Sequence, residues 1–172
     1  MKSETRLSTK TVFEGKIITV KVDAVSLPNG VRAVREVVEH RPAVAIVPLD
    51  GEGGVLLVSQ FRYPAGEVLL EVPAGIIEED ETPEQCAGRE LQEEIGYRAG
   101  EMRSLGSFWT TPGFSDELMH VFVATGLEPS SLEPDEDEDI SVVRVPVSRI
   151  RPMIEAGEIR DAKTIAALLM AC

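Results

Sequence analysis

Three glutamates in the middle of the sequence have the spacing of one helix face. Glu90, Glu93 and Glu94 occupy positions i, i+3 and i+4, and side chains at this spacing are helix neighbours, about 5 to 6 Å apart at Cβ. Like charges so close together destabilise a helix, so the cluster needs a compensating charge. Mg²⁺ and Mn²⁺ prefer carboxylate oxygens and often bind a substrate phosphate as well. We therefore expect a divalent cation here, with a solvated acidic face as the alternative.

The neighbouring residues predict the helix that carries these glutamates. Thr82, Pro83 and Glu84 are typical of an N-cap, a first helical residue and an acid at the positive end of the helix dipole. Gly96 is a typical stop residue directly after Ile95. The sequence therefore predicts a helix that begins at Thr82 or Pro83 and ends at Ile95.

The net charge of −13 is concentrated in two segments of the 172-residue chain. Residues 75–97 contain eight acidic residues and one basic residue, and residues 133–139 contain six acidic residues and none that is basic. The remainder is balanced at sixteen of each. Because no basic stripe is available to neutralise phosphates, the sequence argues against a nucleic-acid duplex or an anionic membrane as partner.

Length and composition predict a folded protein of one domain, or of one domain with a small appendage. The chain has two cysteines, Cys86 and Cys172, and two histidines, which argues against a disulfide scaffold and a zinc site. The N-terminus lacks the apolar segment of a signal peptide, and no run of about 18 apolar residues follows. We therefore expect a cytoplasmic protein.

Alternating and continuous apolar segments predict strands on both sides of the helix. Residues 10–39 predict a small β unit, too small to be stable alone. Ala43–Leu49 and Val55–Val58 are predicted to form a hairpin covered on both faces, and Val68–Val72 a strand followed by a loop at residues 73–75. Further along, the sequence predicts strands at 102–110, 118–125 and 140–147, a polar loop at 128–139, and helices at 148–156 and 161–170. The expected class is α/β (α+β), with helices on the faces of a mixed sheet.

The segment from Gly75 to Tyr97 resembles the Nudix box at every defined position. Its sequence is GIIEEDETPEQCAGRELQEEIGY, with Gly75, Glu81, Arg89-Glu90, Leu91, Glu93-Glu94, Gly96 and Tyr97 in the defined places. The resemblance implies a Nudix hydrolase: an α/β/α sandwich that cleaves a nucleoside diphosphate linked to another moiety.

The same resemblance implies a set of metal ligands. Glu90 and Glu94 would hold Mg²⁺ (or Mn²⁺), two or more ions per site, together with the backbone carbonyl of Ala74. Glu93 would act in catalysis as a secondary ligand. Arg89 and Glu81 are implied to pair and to orient the helix.

Segments outside the box resemble ADP-ribose pyrophosphatases over nearly the whole chain. Pro112 lies sixteen residues after Gly96, a placement similar to that of this subfamily, and segments 34–49, 59–64, 135–140 and 161–164 are similar to it as well. In this subfamily an N-terminal unit is exchanged across a homodimer. We therefore expect residues 1–40 to form an exchanged β unit and residues 41–172 to form the Nudix domain.

The subfamily resemblance also implies substrate contacts. Arg62 would contact the diphosphate, Arg35 and Glu36 would contribute from the partner subunit, and Glu117 would contact the terminal ribose, with Pro112 nearby. For each arginine a surface ion pair is the alternative. Family members often stack adenine on an aromatic residue at a position where this chain has Lys16 or Ile17, which leaves purine selectivity open.

The acidic loop is implied to supply the catalytic base. Glu136 would activate water and Glu138 would be an additional metal ligand, although the two roles could be exchanged; a solvated loop tip is the alternative. The two acidic segments are then expected to converge around divalent cations.

The implied reaction is hydrolysis of ADP-ribose to AMP and ribose 5-phosphate. The alternatives are hydrolysis of a GDP- or UDP-sugar, and a non-catalytic domain that senses ADP-ribose. The complete set of Glu81, Glu90, Glu93 and Glu94 weighs against the last alternative.

Overall fold

A computed structural model of the protein describes residues 3–132 and 139–171. The chain divides into two compact units: the first consists of Met1–Pro42 and Trp109–Leu118, and the second of Ala43–Phe108 and Met119–Cys172. The first unit thus includes a segment from the middle of the sequence in addition to the N-terminal strands.

The first unit is built on an antiparallel sheet of three strands. These strands are β1 (Thr5–Glu14), β2 (Ile18–Ser26) and β3 (Arg32–His40), in the order β1-β2-β3. The turn between β2 and β3 contains Gly30, whose φ of 83° favours glycine. Segment 109–118 extends this unit, because Val38 N donates to Phe114 O at 2.7 Å and Asp116 N donates to Val38 O at 3.2 Å.

The strands described in the second unit form three further sheets. One has the order β7-β4-β10-β9, another the order β12-β5-β6, and a third pairs β8 with β11. The strands are β4 (Ala43–Pro48), β5 (Gly54–Arg62), β6 (Glu67–Glu71), β7 (Ala74–Ile76), β8 (Tyr97–Arg98), β9 (Glu101–Trp109), β10 (Leu118–Thr125), β11 (Glu128–Pro129) and β12 (Ile140–Pro146).

The predicted hairpin of β4 and β5 is wrong, although both strands are present. β4 pairs in parallel with β10 on one edge and antiparallel with β7 on the other, so both of its edges are occupied. β5 instead lies between β12 and β6, and a single bridge, Leu49 to Val55, links the two segments. The predicted loop after Val72 is also partly wrong, because Ala74–Ile76 forms β7.

In the described part of the second unit, three helices cover the strands: α1 (Pro83–Ile95), α2 (Val147–Glu155) and α3 (Ala162–Ala171). Every residue of β4 is buried. Val44 and Ile46 pack in the same cluster as Leu91 of α1, whereas Val47 belongs to the opposite cluster with Leu168 of α3. The predicted arrangement of helices on the faces of a mixed sheet is therefore confirmed.

Across residues 3–132 and 139–171, none of the helices combines the length and the apolar character that crossing a bilayer requires.

Candidate active site

Local signals at both ends fix the position of α1. Thr82 is the N-cap: its Oγ1 accepts from Gln85 N at 3.2 Å, and Thr82 N donates to Gln85 Oε1 at 2.8 Å, which completes a capping box. Gly96 ends the helix in the left-handed region, with φ 74°. The predicted helix is confirmed at both ends, so its glutamates lie at the register that the sequence implies.

Two carboxylates of α1 are buried against the β7 segment. Glu90 is 8% exposed and Glu94 is 7% exposed, although a charged side chain is rarely buried without a partner. Ala74 N donates to Glu94 Oε2 at 3.1 Å. The structure thus brings together Ala74, Glu90 and Glu94, which the sequence predicts as metal ligands.

Gly75 leaves the space that the Glu90 carboxylate fills. A Cβ at this position would lie 1.8 Å from Glu90 Oε1 and 2.0 Å from its Cδ, far inside van der Waals contact. The requirement for glycine here is therefore one of space, because only a residue without a side chain allows the carboxylate to lie against the backbone.

Arg89 connects the acidic residues of the site. Its Nε and Nη2 bind Glu81 Oε1 and Oε2 at 2.9 and 3.0 Å, which confirms the predicted pair. Its Nη1 donates to Glu90 Oε1 at 2.7 Å and to Glu93 Oε2 at 2.8 Å. The hydrogen bond from Arg89 lowers the pKa of Glu81, and the bond to Glu81 is the main reason that the pKa of Arg89 is raised.

The donor chemistry of this cluster fits a hard divalent cation. Arg89 faces the negative charges of Glu81, Glu90 and Glu93, and Glu94 adds a further carboxylate. Carboxylate oxygens in excess of cationic groups are the donors that Mg²⁺ and Mn²⁺ prefer. Among the residues that the structure describes, no three His, Cys, Asp or Glu side chains are already arranged as a metal site. Arg89 Nη1 binds both Glu90 and Glu93 in this arrangement.

A second charged cluster lies at the ends of β5 and β6. Glu71 is 1% exposed, and it accepts from Arg62 Nε at 2.9 Å and from Arg62 Nη2 at 2.7 Å. Lys163 Nζ binds Glu71 Oε2 as well. The hydrogen bond that Arg62 donates to Glu71 is the main cause that raises the pKa of Arg62, and the charge of Glu94 contributes in the same direction. Arg62 therefore lies within electrostatic range of Glu94 of α1.

The remaining predicted substrate residues that the structure describes belong to the first unit. Arg35 forms an exposed pair with Glu4, with Nη2 to Oε1 at 2.6 Å, and Glu36 beside it is exposed. Glu117 accepts from Thr110 Oγ1 at 2.6 Å, and His40 Nδ1 is 3.7 Å from Glu117 Oε1. Pro112 lies in an exposed turn of segment 109–118.

Lys16 and Ile17, at the position where an aromatic residue is often found, line a cavity of about 400 Å³ in the first unit. Glu39, His40, Arg41 and Asp116 also line it. Glu136 and Glu138 lie outside the described residues, so the convergence of the acidic loop with α1 remains a prediction.

Sequence reasoning assigned no role to Glu71 or to Lys163. A signal was present, since Glu71 is the one acidic residue within the otherwise apolar segment Val68–Val72, and a buried acid usually requires a cationic partner. The identity of that partner could not be read from the sequence, because Lys163 is 92 positions away.

Comparisons with known proteins agree with this geometry. The NUDIX domain model matches residues 39–168, and the model of the nucleoside diphosphate sugar hydrolase N-terminal domain matches residues 4–38. An ADP-ribose pyrophosphatase of Bacillus subtilis (strain 168) is 41% identical, with 96% of this chain and 90% of the relative covered. A GDP-mannose pyrophosphatase of Citrobacter koseri (strain ATCC BAA-895 / CDC 4225-83 / SGSC4696) is 36% identical, with 80% and 77% covered.

A solved structure has the same fold over almost the full length of this chain. It is the crystal structure of an ADP compounds hydrolase, with a TM-score of 0.91 and 29% identity, and the match covers 99% of this chain and 93% of that chain. The box residues predicted from the sequence include the buried carboxylates of α1, and the family model, which matches residues 39–168, covers all of α1. The chain therefore belongs to the NUDIX domain family.

Proposed function

We propose that this protein hydrolyses the diphosphate bond of ADP-ribose to AMP and ribose 5-phosphate. The observation that carries the proposal is the pair of buried carboxylates, Glu90 and Glu94, held on a capped helix against Ala74 and Gly75. The similarity to ADP-ribose pyrophosphatases over 96% of the chain supports the choice of substrate.

In this proposal the residues of α1 hold the cations. Glu90, Glu94 and the carbonyl of Ala74 bind Mg²⁺ or Mn²⁺, in two or more ions per site, with Glu93 as a secondary ligand. When bound, these ions supply neutralisation of the diphosphate charge and a lowered pKa of bound water. Arg89 and Glu81 keep the helix and its carboxylates aligned.

The other proposed residues bind the substrate and move a proton. Arg62 donates to the diphosphate oxygens, as suits the planar guanidinium. Glu136 takes a proton from the water that attacks phosphorus, and Glu138 assists as a further ligand. The bond between phosphorus and the bridging oxygen breaks, which leaves AMP and ribose 5-phosphate. Glu117, with Pro112 nearby, contributes to the site for the terminal ribose.

We also propose that the protein is a homodimer in which residues 1–40 are exchanged. The sheet of the first unit supports this, because large apolar side chains on it are at least half exposed, among them Leu7, Phe13 and Val34. Arg35 and Glu36 would then contact the substrate that is bound to the partner subunit. Light scattering with size-exclusion chromatography should give the mass of two chains, and a monomer mass would contradict the proposal.

A second candidate is hydrolysis of a GDP- or UDP-sugar. The similarity to a GDP-mannose pyrophosphatase supports it, and so does the presence of Lys16 and Ile17, rather than an aromatic residue, beside the cavity of the first unit. Neither Lys16 nor Ile17 offers an aromatic ring on which adenine could stack.

A product screen distinguishes these candidates. The protein is incubated with ADP-ribose, GDP-mannose, UDP-glucose and NADH, each with Mg²⁺ or with EDTA, and the products are followed by ³¹P NMR. We expect AMP and ribose 5-phosphate from ADP-ribose, and no product in EDTA. Faster turnover of GDP-mannose would favour the second candidate, and ligand-induced thermal stabilisation without any product would indicate a sensing domain.

A further inference from the structure

Glu71 is a buried carboxylate with two cationic partners. It is 1% exposed and binds both Arg62 and Lys163. A buried ion pair is weak evidence for stability, since an apolar pair of similar size often serves the core as well. The orientation that Glu71 imposes on Arg62 is therefore of more interest than the energy of the pair.

Glu71 binds one specific edge of the Arg62 guanidinium. The two hydrogen bonds engage Nε and Nη2, and a guanidinium carries five N–H groups in a fixed plane. One proton of Nη1 and one proton of Nη2 remain on the outer edge, and the second Nη1 proton lies on the side of the Cδ atom. In the described residues no acceptor is assigned to Nη1, and the Arg62 side chain is 37% exposed. The outer edge is thus oriented and accessible to a second bidentate anion.

Lys163 and the start of α3 hold Glu71 in turn. Lys163 Nζ binds Glu71 and also Asp161 Oδ2 at 2.9 Å. Asp161 Oδ2 accepts from Thr164 N at 2.9 Å, and Thr164 Oγ1 accepts from Val72 N at 3.0 Å. The cluster therefore contains two cations, Arg62 and Lys163, and two carboxylates, Glu71 and Asp161. Because these charges balance, Arg62 offers an anion its remaining N–H donors rather than an excess of positive charge.

We infer that Glu71, supported by Lys163, is a positioning residue that presents the outer edge of Arg62 to the substrate diphosphate. This inference rests on the proposed function in one respect, namely that Arg62 contacts a diphosphate. Glu71 acts through Arg62, so its effect should vanish when Arg62 is absent. A purely structural ion pair would produce the same effect in both backgrounds.

A double-mutant cycle tests this dependence. Glu71→Gln and Lys163→Gln are each made in the wild-type protein and in Arg62→Ala. Arg160→Ala serves as the control, because Arg160 forms an exposed pair with Glu67 close to the same elements. Steady-state hydrolysis of ADP-ribose gives KM and kcat, and calorimetric titration of ADP in magnesium-containing buffer gives a Kd that needs no turnover. Circular dichroism shows which variants are folded.

We expect Glu71→Gln to raise KM and the ADP Kd about tenfold, with kcat within about threefold of wild type. Lys163→Gln should raise them about threefold, since the Glu71–Arg62 pair remains. In the Arg62→Ala background, neither substitution should change KM or the ADP Kd. Arg160→Ala should have the KM, kcat and ADP Kd of the wild-type protein. An equal effect in both backgrounds, tighter ADP binding in Glu71→Gln, or a loss of kcat alone would overturn the inference. So would a folded wild-type protein that does not bind ADP.

The two proposals fail differently. If the wild-type protein releases no AMP from ADP-ribose but the ADP Kd follows the predicted cycle, the proposed reaction is wrong and the positioning role stands. If AMP is released but the cycle shows no coupling, the reaction stands and the positioning role is wrong. If Glu71→Gln does not fold, the Lys163→Gln arm decides by the same criteria.

Discussion

Arg62 and Arg89, two arginines of the second unit, are both bound to carboxylates, yet their surroundings differ. All three nitrogens of Arg89 are engaged by acidic residues, with Glu81 on one edge and Glu90 and Glu93 on Nη1. Among the described residues, Arg62 forms an ion pair with one carboxylate, that of Glu71, which Lys163 also binds. The number of acids per guanidinium therefore separates an arginine that organises the site from one that can still bind an anion.

The largest expected effect comes from removing a carboxylate that Arg89 aligns. Glu90→Gln keeps the size of the side chain but removes its charge, and it should lower kcat/KM for ADP-ribose about 10³-fold, because a metal ion contributes several kcal/mol to the transition state. Glu84→Gln is the matched control on an exposed position of α1. Similar rates in the two variants would show that the buried carboxylates are not required.

Crowding the Glu90 carboxylate should have the next largest effect. In Gly75→Ala the added methyl would meet Glu90 Oε1 at 1.8 Å, so the carboxylate must move. A displacement of about 1 Å can cost about 100-fold in rate. Gly88→Ala is the control, since a Cβ there meets nothing within 4 Å, and it should raise the free energy of unfolding by about 0.5–1 kcal/mol. Equal activity of the two variants would contradict the close approach at Gly75.

Replacing each arginine by methionine compares their structural roles directly. Arg89→Met leaves three glutamates without their shared partner and should reduce the free energy of unfolding by about 2–3 kcal/mol in metal-free buffer. Arg62→Met leaves Glu71 paired with Lys163 and should cost about 1 kcal/mol. Urea denaturation provides both values. A larger loss for Arg62→Met would reverse the assignment of the two roles.

The smallest expected effect is a change in the pH dependence of stability. The Arg89 hydrogen bond lowers the pKa of Glu81 below its ordinary value of 4.5, so the folded state binds fewer protons than the unfolded state. The stabilisation is complete above the ordinary pKa and is lost as the pH falls through the depressed one. Urea denaturation at several pH values below about pH 5 should show that the free energy of unfolding of the wild-type protein falls with pH, and that it falls less steeply in Arg89→Met. Equal dependence on pH in the two proteins would mean that the Arg89 hydrogen bond does not set the pKa of Glu81.

Local signals explain which features could be predicted. The capping residues and Gly96 define α1 within a few positions of sequence, and the Glu81–Arg89 pair follows from the motif, so both are confirmed. The hairpin of β4 and β5 is wrong because strand pairing is decided by β7 and β10, which are distant in sequence. The Glu71–Lys163 contact was missed for the same reason. Segment 109–118 likewise joins the N-terminal strands through hydrogen bonds with β3, and no local sequence pattern predicts these contacts.

The most direct test of the central claim, that α1 carries a divalent cation site, is titration of the nucleotide-free protein with Mn²⁺ followed by electron paramagnetic resonance. Wild type and Glu84→Gln should bind Mn²⁺ equally, and Glu94→Gln should bind it at least about tenfold more weakly while remaining folded. Equal Mn²⁺ affinity in all three proteins would contradict the claim and leave the carboxylates of α1 as a structural cluster around Arg89.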